Sequence, residues 1–343
     1  MSFDVFAFVM QDGLTLGAIY ALLSIVLVFV FSVTRVIFIP LGEFVAFGAL
    51  TLAALRSDRV PGTVWLVLIL GMLVGLRAVA TDREVICKSS ALARSACVPV
   101  IAAIVYVAAP LALPLAIDVA LTLLLVGVLG PLIYRLAYKP IEHLSVLILL
   151  IASVAVHLLL TGAGLAMFGP EGFRTPTFLN FSFTLGPLFV AGQSLLIYVA
   201  AILFIFGFFA FFRWTMEGSA LRATAANRTG ARLIGIRTSS AGETAFGVAA
   251  VTGAASGMLI APLATIFYDT GFLIGLKGFI AAIFGGLVSF PVAAVGAVAL
   301  GLLESYVSYF DSSLRDVIIF ALVVPILLFR SLTHKGSDRE TSN

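Results

Sequence analysis

The chain has 343 residues, of which 62% are hydrophobic and 11% charged, with a formal net charge of +3. Soluble domains carry roughly 25% charged residues, so this composition excludes an ordinary aqueous fold, and with it the basic aqueous patch that nucleic-acid binding needs. A mean hydropathy of +1.18 and recurring apolar runs near or above ~18 residues leave a polytopic helical membrane protein. The runs do not alternate as barrel strands do.

The N-terminus carries Asp4 and Asp12 but no Lys or Arg before the first apolar run, so that run reads as a spanning helix and not as a cleavable signal. It covers residues 14–33 and ends at Arg35. A second starts around Glu43 and stops at Arg56. A short third, 64–76, meets a basic loop over 77–94 that holds Arg77, Arg83, Lys88 and Arg94. Cys87 and Cys97 lie in or beside this loop; a cytoplasmic setting disfavours a disulfide, and without nearby histidines they make no zinc site. Residues 96–134 are apolar but broken by Pro110 and Pro114, which predicts a tight turn between two helices.

Arg135, Lys139 and His143 follow, then a run ending near Phe168, a Gly/Pro/Asn-rich loop over 169–186, and a run over 188–212. The basic, helix-compatible segment 218–236 comes next. Runs over 245–267, 292–310 and 317–329 complete the chain, with a Gly-rich stretch over 271–291 that is too broken to be read firmly as a span. The expectation is an all-α transmembrane bundle of about eight to eleven embedded helices. Its domain covers 1–332, and 333–343 form a polar, disordered tail. Gly13/Gly17, Gly71/Gly75, Gly253/Gly257 and Gly271/Gly275 have the spacing that lets helix backbones approach closely in lipid.

An outside N-terminus places fifteen Lys and Arg residues inside and four outside (Arg56, Arg59, Arg174 and Arg315), with Lys277 unassigned. That asymmetry is what the positive-inside rule requires. Segment 218–236 is then cytoplasmic, and its small residues and single polar face suit it to dock on another protein.

An ionisable group at mid-bilayer costs ~2.5–3.5 kcal/mol on insertion scales, so each one calls for a role. Glu43, after Pro40 and Gly42, and Glu304 are candidates for the translocation pathway. His157 reads as a satisfied interior histidine. Asp118 and Asp269 lie near helix ends, where wetting is expected. Ser256 resembles a nucleophile turn only superficially, since Ala254 stands where that turn needs glycine. No HExxH and no GxxxxGK[ST] occurs, and carboxylates and histidines do not form the chain typical of proton-driven carriers. No catalytic residue, metal or cofactor is therefore assigned. Active transport would draw its energy from a partner.

The motifs DGLTLGAIYAL (12–22), GEF (42–44), YKP (138–140), FGPEG (168–172), LRATAANR (221–228), ARLIGI (231–236), GFIAAIFGGL (278–287) and LRDVII (314–319) are specific in their order and spacing. Together they resemble the permease subunits of ABC importers for branched-chain amino acids, the LivH-like family, along nearly the full length. The resemblance implies two cytoplasmic ATP-binding subunits, a second permease subunit and a periplasmic or extracellular solute-binding protein as partners. It further implies a small-molecule substrate, a prokaryotic inner membrane with its lipid, and no nucleic acid. Segment 218–236 looks like a looser relative of the importer EAA loop, with Arg222, Asn227, Arg228, Gly230, Arg232 and Gly235 as the expected ATPase-coupling residues.

One departure is visible. The family pattern NFAHGE enters the second span, whereas this chain reads FIPLGE over 38–43, exchanging polar Asn and His for Phe38 and Leu41. If that stretch lines the pathway, aromatic carboxylates, amides or urea-like solutes become alternatives to hydrophobic amino acids. A self-sufficient secondary carrier is the other rival.

Overall fold

The structure, a computed structural model, describes residues 3–81, 89–185, 188–236 and 238–334. Cys87, Arg83, Lys88, Arg237, Lys335 and Arg339 lie outside the described residues, as does most of the tail. Helix α1 (Phe3–Thr34) begins well before its apolar run, with Asp4 in its first turn facing the positive end of the helix dipole. Arg35 then adopts φ 61°, a left-handed conformation that ends α1, and the Val36 amide donates to Thr34 Oγ1. In the non-helical stretch 35–40, Val36, Phe38 and Pro40 are buried and Ile37 and Ile39 partly so, with Phe38 packed against Phe44, Tyr138 and Phe246. Irregular backbone at membrane depth is tolerated when protein encloses it.

Helix α2 (Leu41–Arg56) therefore starts inside the bundle; almost all its residues are buried. Helix α3 (Thr63–Thr81) and helix α4 (Ser89–Ala108) carry Arg77 and Arg94, so the expected basic loop is shorter than its charges suggest. The turn at Pro110 and Pro114 is present, and Ala112 takes φ 45° there. Helix α5 (Leu115–Ile133) runs on into a π-helical turn, Tyr134–Tyr138. Helix α6 (Val146–Phe168) leads through a loop to a small hairpin that the sequence did not announce. Strand β1 (Ser182–Leu185) pairs antiparallel with β2 (Leu188–Ala191), so the run from residue 188 opens as strand before helix α7 (Gly192–Trp214).

Segment 218–236 forms two short helices, α8 (Met216–Ala226) and α9 (Arg228–Leu233). Helix α10 (Thr238–Ile260) rises through the core. Helix α11 (Thr270–Phe284) is short and half-buried, and α12 (Phe290–Phe310) returns along α1. The last run divides into α13 (Arg315–Ala321) and α14 (Val323–His334). Among the described residues, six helices are long and apolar enough to cross a membrane: Asp4–Thr34, Leu115–Ile141, Val146–Phe168, Gly192–Trp214, Ser240–Ile260 and Phe290–Phe310. Three shorter apolar helices, Thr63–Arg77, Cys97–Leu111 and Thr270–Phe284, join them, in line with the expected all-α bundle.

Small residues seat the core. Gly13 and Gly17 let α1 meet Gly301, Leu302 and Val298 of α12. Gly253 and Gly257 face Leu41, Phe44 and Val45 of α2, and Gly271 and Gly275 meet the backbone of Gly42. The fourth pair does this only in part: Gly71 abuts Val98, whereas Gly75 faces open space. A Cβ at Gly257 would collide with the Val45 carbonyl. Gly257→Ala should therefore destabilise the purified chain by about 1–3 kcal/mol. Gly75→Ala should leave it unchanged or stabilise it by up to about 1 kcal/mol, since a helical glycine costs about that much relative to Ala. Thermal unfolding in mild detergent compares the two.

Candidate functional site

Glu43 lies in the first turn of α2, where that helix starts inside the bundle. The start of α2 is level with Gly253, which sits about 22 Å along α10 from Thr238 at ~1.5 Å per residue. Glu43 is 1% exposed, and its Oε1 lies 2.6 Å from His157 Nδ1 and 3.5 Å from Thr161 Oγ1. Ser153, His157 and Thr161 recur every fourth residue on α6 and so share one face of an otherwise apolar helix. Ser153 is 3.0 Å from the Tyr138 hydroxyl, and the His157 ring stacks on Phe272 with centroids 4.4 Å apart. His157 is thus an interior histidine as expected, and its partner is the acid singled out for the pathway. Gly42 supplies the close crossing with α11. Phe38 and Leu41, the apolar replacements before it, are core residues at 1% exposure.

The second acid, Glu304, sits at the buried end of an ionic cluster that ties four helices, with Arg315 and Asp316 at its partly exposed end. Its Oε1 accepts from Lys277 Nζ of α11 at 2.6 Å, and its Oε2 accepts from the Tyr20 hydroxyl of α1 at 2.7 Å. Lys277 also pairs with Asp316 at 3.0 Å, and Arg315 approaches Glu304 at 3.6 Å and Asp316 at 3.4 Å. Two acids face two bases, so the cluster is neutral. Burial raises the Asp316 carboxyl, but Lys277 and Arg315 outweigh it and hold the group below the usual carboxylate range. The sequence left Lys277 without a place. A lone Lys and a lone Glu in successive apolar segments are the signal that pairs them. Asp118, expected to be wetted, is instead buried and bridged to Arg56 at 3.2 Å, because the first turn of α5 packs beside the end of α2; Asp269 is exposed.

Segment 218–236 is built from two caps. Thr215 Oγ1 accepts from the Gly218 amide at 2.9 Å and starts α8; Asn227 Oδ1 accepts from the Gly230 amide at 2.8 Å and starts α9. Asn227 therefore divides what reads in sequence as one helix, and its polar side chain three residues before Gly230 was the signal. Gly235 closes α9 at φ 85°. Gly218 fits against the Phe211 carbonyl, and Arg232 reaches Glu142 at 3.5 Å, so the pair is held to the body at both ends. Arg222 is exposed, and the side chain of Arg228 lies outside the described residues. Sequence reasoning passed over Leu233 and Ile234, which are 83% and 76% exposed beside Arg232. Ser256 is buried and donates to the Thr252 carbonyl one turn back.

A bundle of apolar spans with enclosed ion pairs and a capped, outward-facing helix pair defines a multi-pass helical membrane protein. Residues 90–327 match the family described as branched-chain amino acid transport system / permease component, and the chain belongs to that family. It is 27% identical over 333 residues to the high-affinity branched-chain amino acid transport system permease protein BraD of Pseudomonas aeruginosa, covering 93% of this chain and 92% of that one. It is 29% identical over 203 residues to the corresponding LivH of Escherichia coli, covering 57% and 66%. A probable branched-chain amino acid transport permease protein LivH of Methanocaldococcus jannaschii is 30% identical over 203 residues, covering 56% and 62%. No solved structure matches the chain.

Removing one partner of a buried ion pair strands the other charge, at a cost of about 3–5 kcal/mol, whereas removing both is far milder. Lys277→Met and Glu304→Gln should each lower the unfolding temperature in detergent sharply. The double variant should recover most of the loss in the same double-mutant cycle.

Proposed function

We propose that the chain is the translocating subunit of an ATP-driven importer for branched-chain or other hydrophobic amino acids. It works with a second permease subunit, two cytoplasmic ATP-binding subunits and a solute-binding protein on the opposite side. The N-terminus lies outside, and the α8–α9 segment and the C-terminus lie in the cytoplasm, the orientation that the distribution of Lys and Arg favours. Glu43 and Gly42 shape the pathway, and Glu304 holds α11 and α12 beside it. The names of the relatives support the substrate class; Phe38 and Leu41 give no support to an aromatic solute, since both are packed in the core.

The observation that carries the coupling role is the α8–α9 pair itself. Two capped helices are anchored to α7 and, through Arg232, to Glu142, yet they leave Leu233 and Ile234 outward. An apolar tip flanked by charge is the composition of a small protein-docking site. Arg222, Asn227, Arg228, Gly230, Arg232 and Gly235 are its proposed ATPase-facing residues. Closure of the ATPase dimer would push this compact unit, and Gly218 on Phe211 would pass the movement to α7. Access then alternates by differential binding of the two states.

Arg228→Glu and Arg232→Glu should each cut amino-acid uptake by at least about tenfold, the scale of reversing a buried interface charge, while the chain stays folded in the membrane. Uptake of radiolabelled leucine, alongside co-purification of the ATPase, reads both effects. Normal uptake in both variants would remove this assignment.

A further inference from the structure

One oxygen of the Glu43 carboxyl is committed and the other is not. Oε1 meets His157 Nδ1 and Thr161 Oγ1, while Oε2 is buried with no hydrogen-bond partner among the described residues. Buried carboxylate oxygens are almost always paired, and an orphan marks a position to which a donor comes. The neighbouring side chains do not provide it. The Ser153 hydroxyl is engaged with Tyr138, and Thr161 Oγ1 donates to the His157 carbonyl at 3.0 Å. His157 and Thr161 are only partly buried, so the set is reached from the α6 side. The imidazole lies flat on the Phe272 ring, at 24° between planes.

We propose that Glu43, Thr161 and Phe272 form a recognition site for the primary ammonium group of the transported solute, with the His157 imidazole holding its place between transport events. This inference rests on the reading of the chain as an amino-acid permease. An ammonium brings one positive charge and three N–H donors. One donor satisfies Glu43 Oε2 and a second reaches Thr161 Oγ1, while the charge stands against the face of Phe272 by cation–π attraction. Imidazole supplies a single N–H toward Glu43 and reproduces this only in part, which is why Oε2 stays orphaned beneath it. A solute without the amino group fails twice, since it leaves Oε2 unpaired and brings its own carboxylate toward Glu43. The cost of keeping a carboxylate inside the membrane is then offset by selection for zwitterions over simple fatty acids.

The test is equilibrium binding of tritiated leucine to the purified complex of this chain with its permease and ATPase partners, in detergent and without the solute-binding protein. Two competitors separate the ends of the solute: 3-methylbutylamine lacks the carboxylate, and 4-methylpentanoate lacks the amino group. Saturable leucine binding, displaced by the amine and not by the acid, is expected. Glu43→Gln should weaken it by at least about tenfold, the cost of losing a charge-assisted hydrogen bond. His157→Leu, which removes the competing N–H donor, should bind leucine more tightly than wild type. Thr161→Val should weaken binding severalfold, and it carries the test if Glu43→Gln fails to assemble. Leucine binding that is absent, unaffected by these substitutions, or displaced equally by the acid would overturn the site. ATP hydrolysis is measured on the same preparations: a wild-type complex that assembles and hydrolyses ATP but fails these binding tests loses the site alone. One that neither assembles nor hydrolyses ATP loses the permease reading with it.

Discussion

The close backbone contact of α2 with α10 and α11 is the constraint on which the rest of the arrangement depends. Gly42 meets Gly271 and Gly275, Gly48 meets Ala254, and Gly253 and Gly257 meet Leu41, Phe44 and Val45. In lipid there is no hydrophobic gain in bringing two apolar helices together, so dispersion over closely matched surfaces must supply the attraction. Six glycines allow it. The result is a short helix that begins inside the bundle, preceded by six non-helical residues, 35–40, next to the cluster of Phe38, Phe44, Tyr138 and Phe246 rings. That placement carries a carboxylate, Glu43, into the interior of the bundle.

Polar contacts then fix what the glycines leave free. Tyr20, Lys277, Glu304, Arg315 and Asp316 join α1, α11, α12 and α13 in a neutral cluster, and Arg56 with Asp118 joins the ends of α2 and α5. Such pairs repay their desolvation only when every member is partnered, which makes them weak glue but strict registers. Glu43 differs from Glu304 in this respect. Both are buried acids in apolar helices, yet among the described residues Glu304 has both oxygens bonded and Glu43 has one orphan. A satisfied acid holds helices together; an unsatisfied one has something left to bind.

Much of this was legible in the sequence because it rests on local rules. Apolar length gave the bundle, Pro110 and Pro114 gave the turn, and three of four glycine pairs lie at close crossings. The uncertain Gly-rich stretch near residue 271 is uncertain for a physical reason, since α11 is a 15-residue helix that makes up for its length by burial. Other features depend on contacts far apart in the chain. Nothing local joins Glu43 to His157 or Tyr20 to Glu304, and a left-handed Arg35 has no composition signal. The division of segment 218–236 at Asn227 and the strand opening before α7 were within reach of capping and turn rules, but apolar periodicity outweighed them.

The central claim is that this chain moves amino acids only as part of an ATP-driven assembly. Leucine accumulation in proteoliposomes measures it most directly, with the chain reconstituted alone and then together with its permease, ATPase and solute-binding partners, with and without ATP on the ATPase side. Uphill accumulation by the full assembly that stops without ATP, with no flux through the chain alone, is the expected outcome. Leucine flux through the chain by itself, indifferent to ATP, would mean a self-sufficient carrier and an α8–α9 segment with no coupling role.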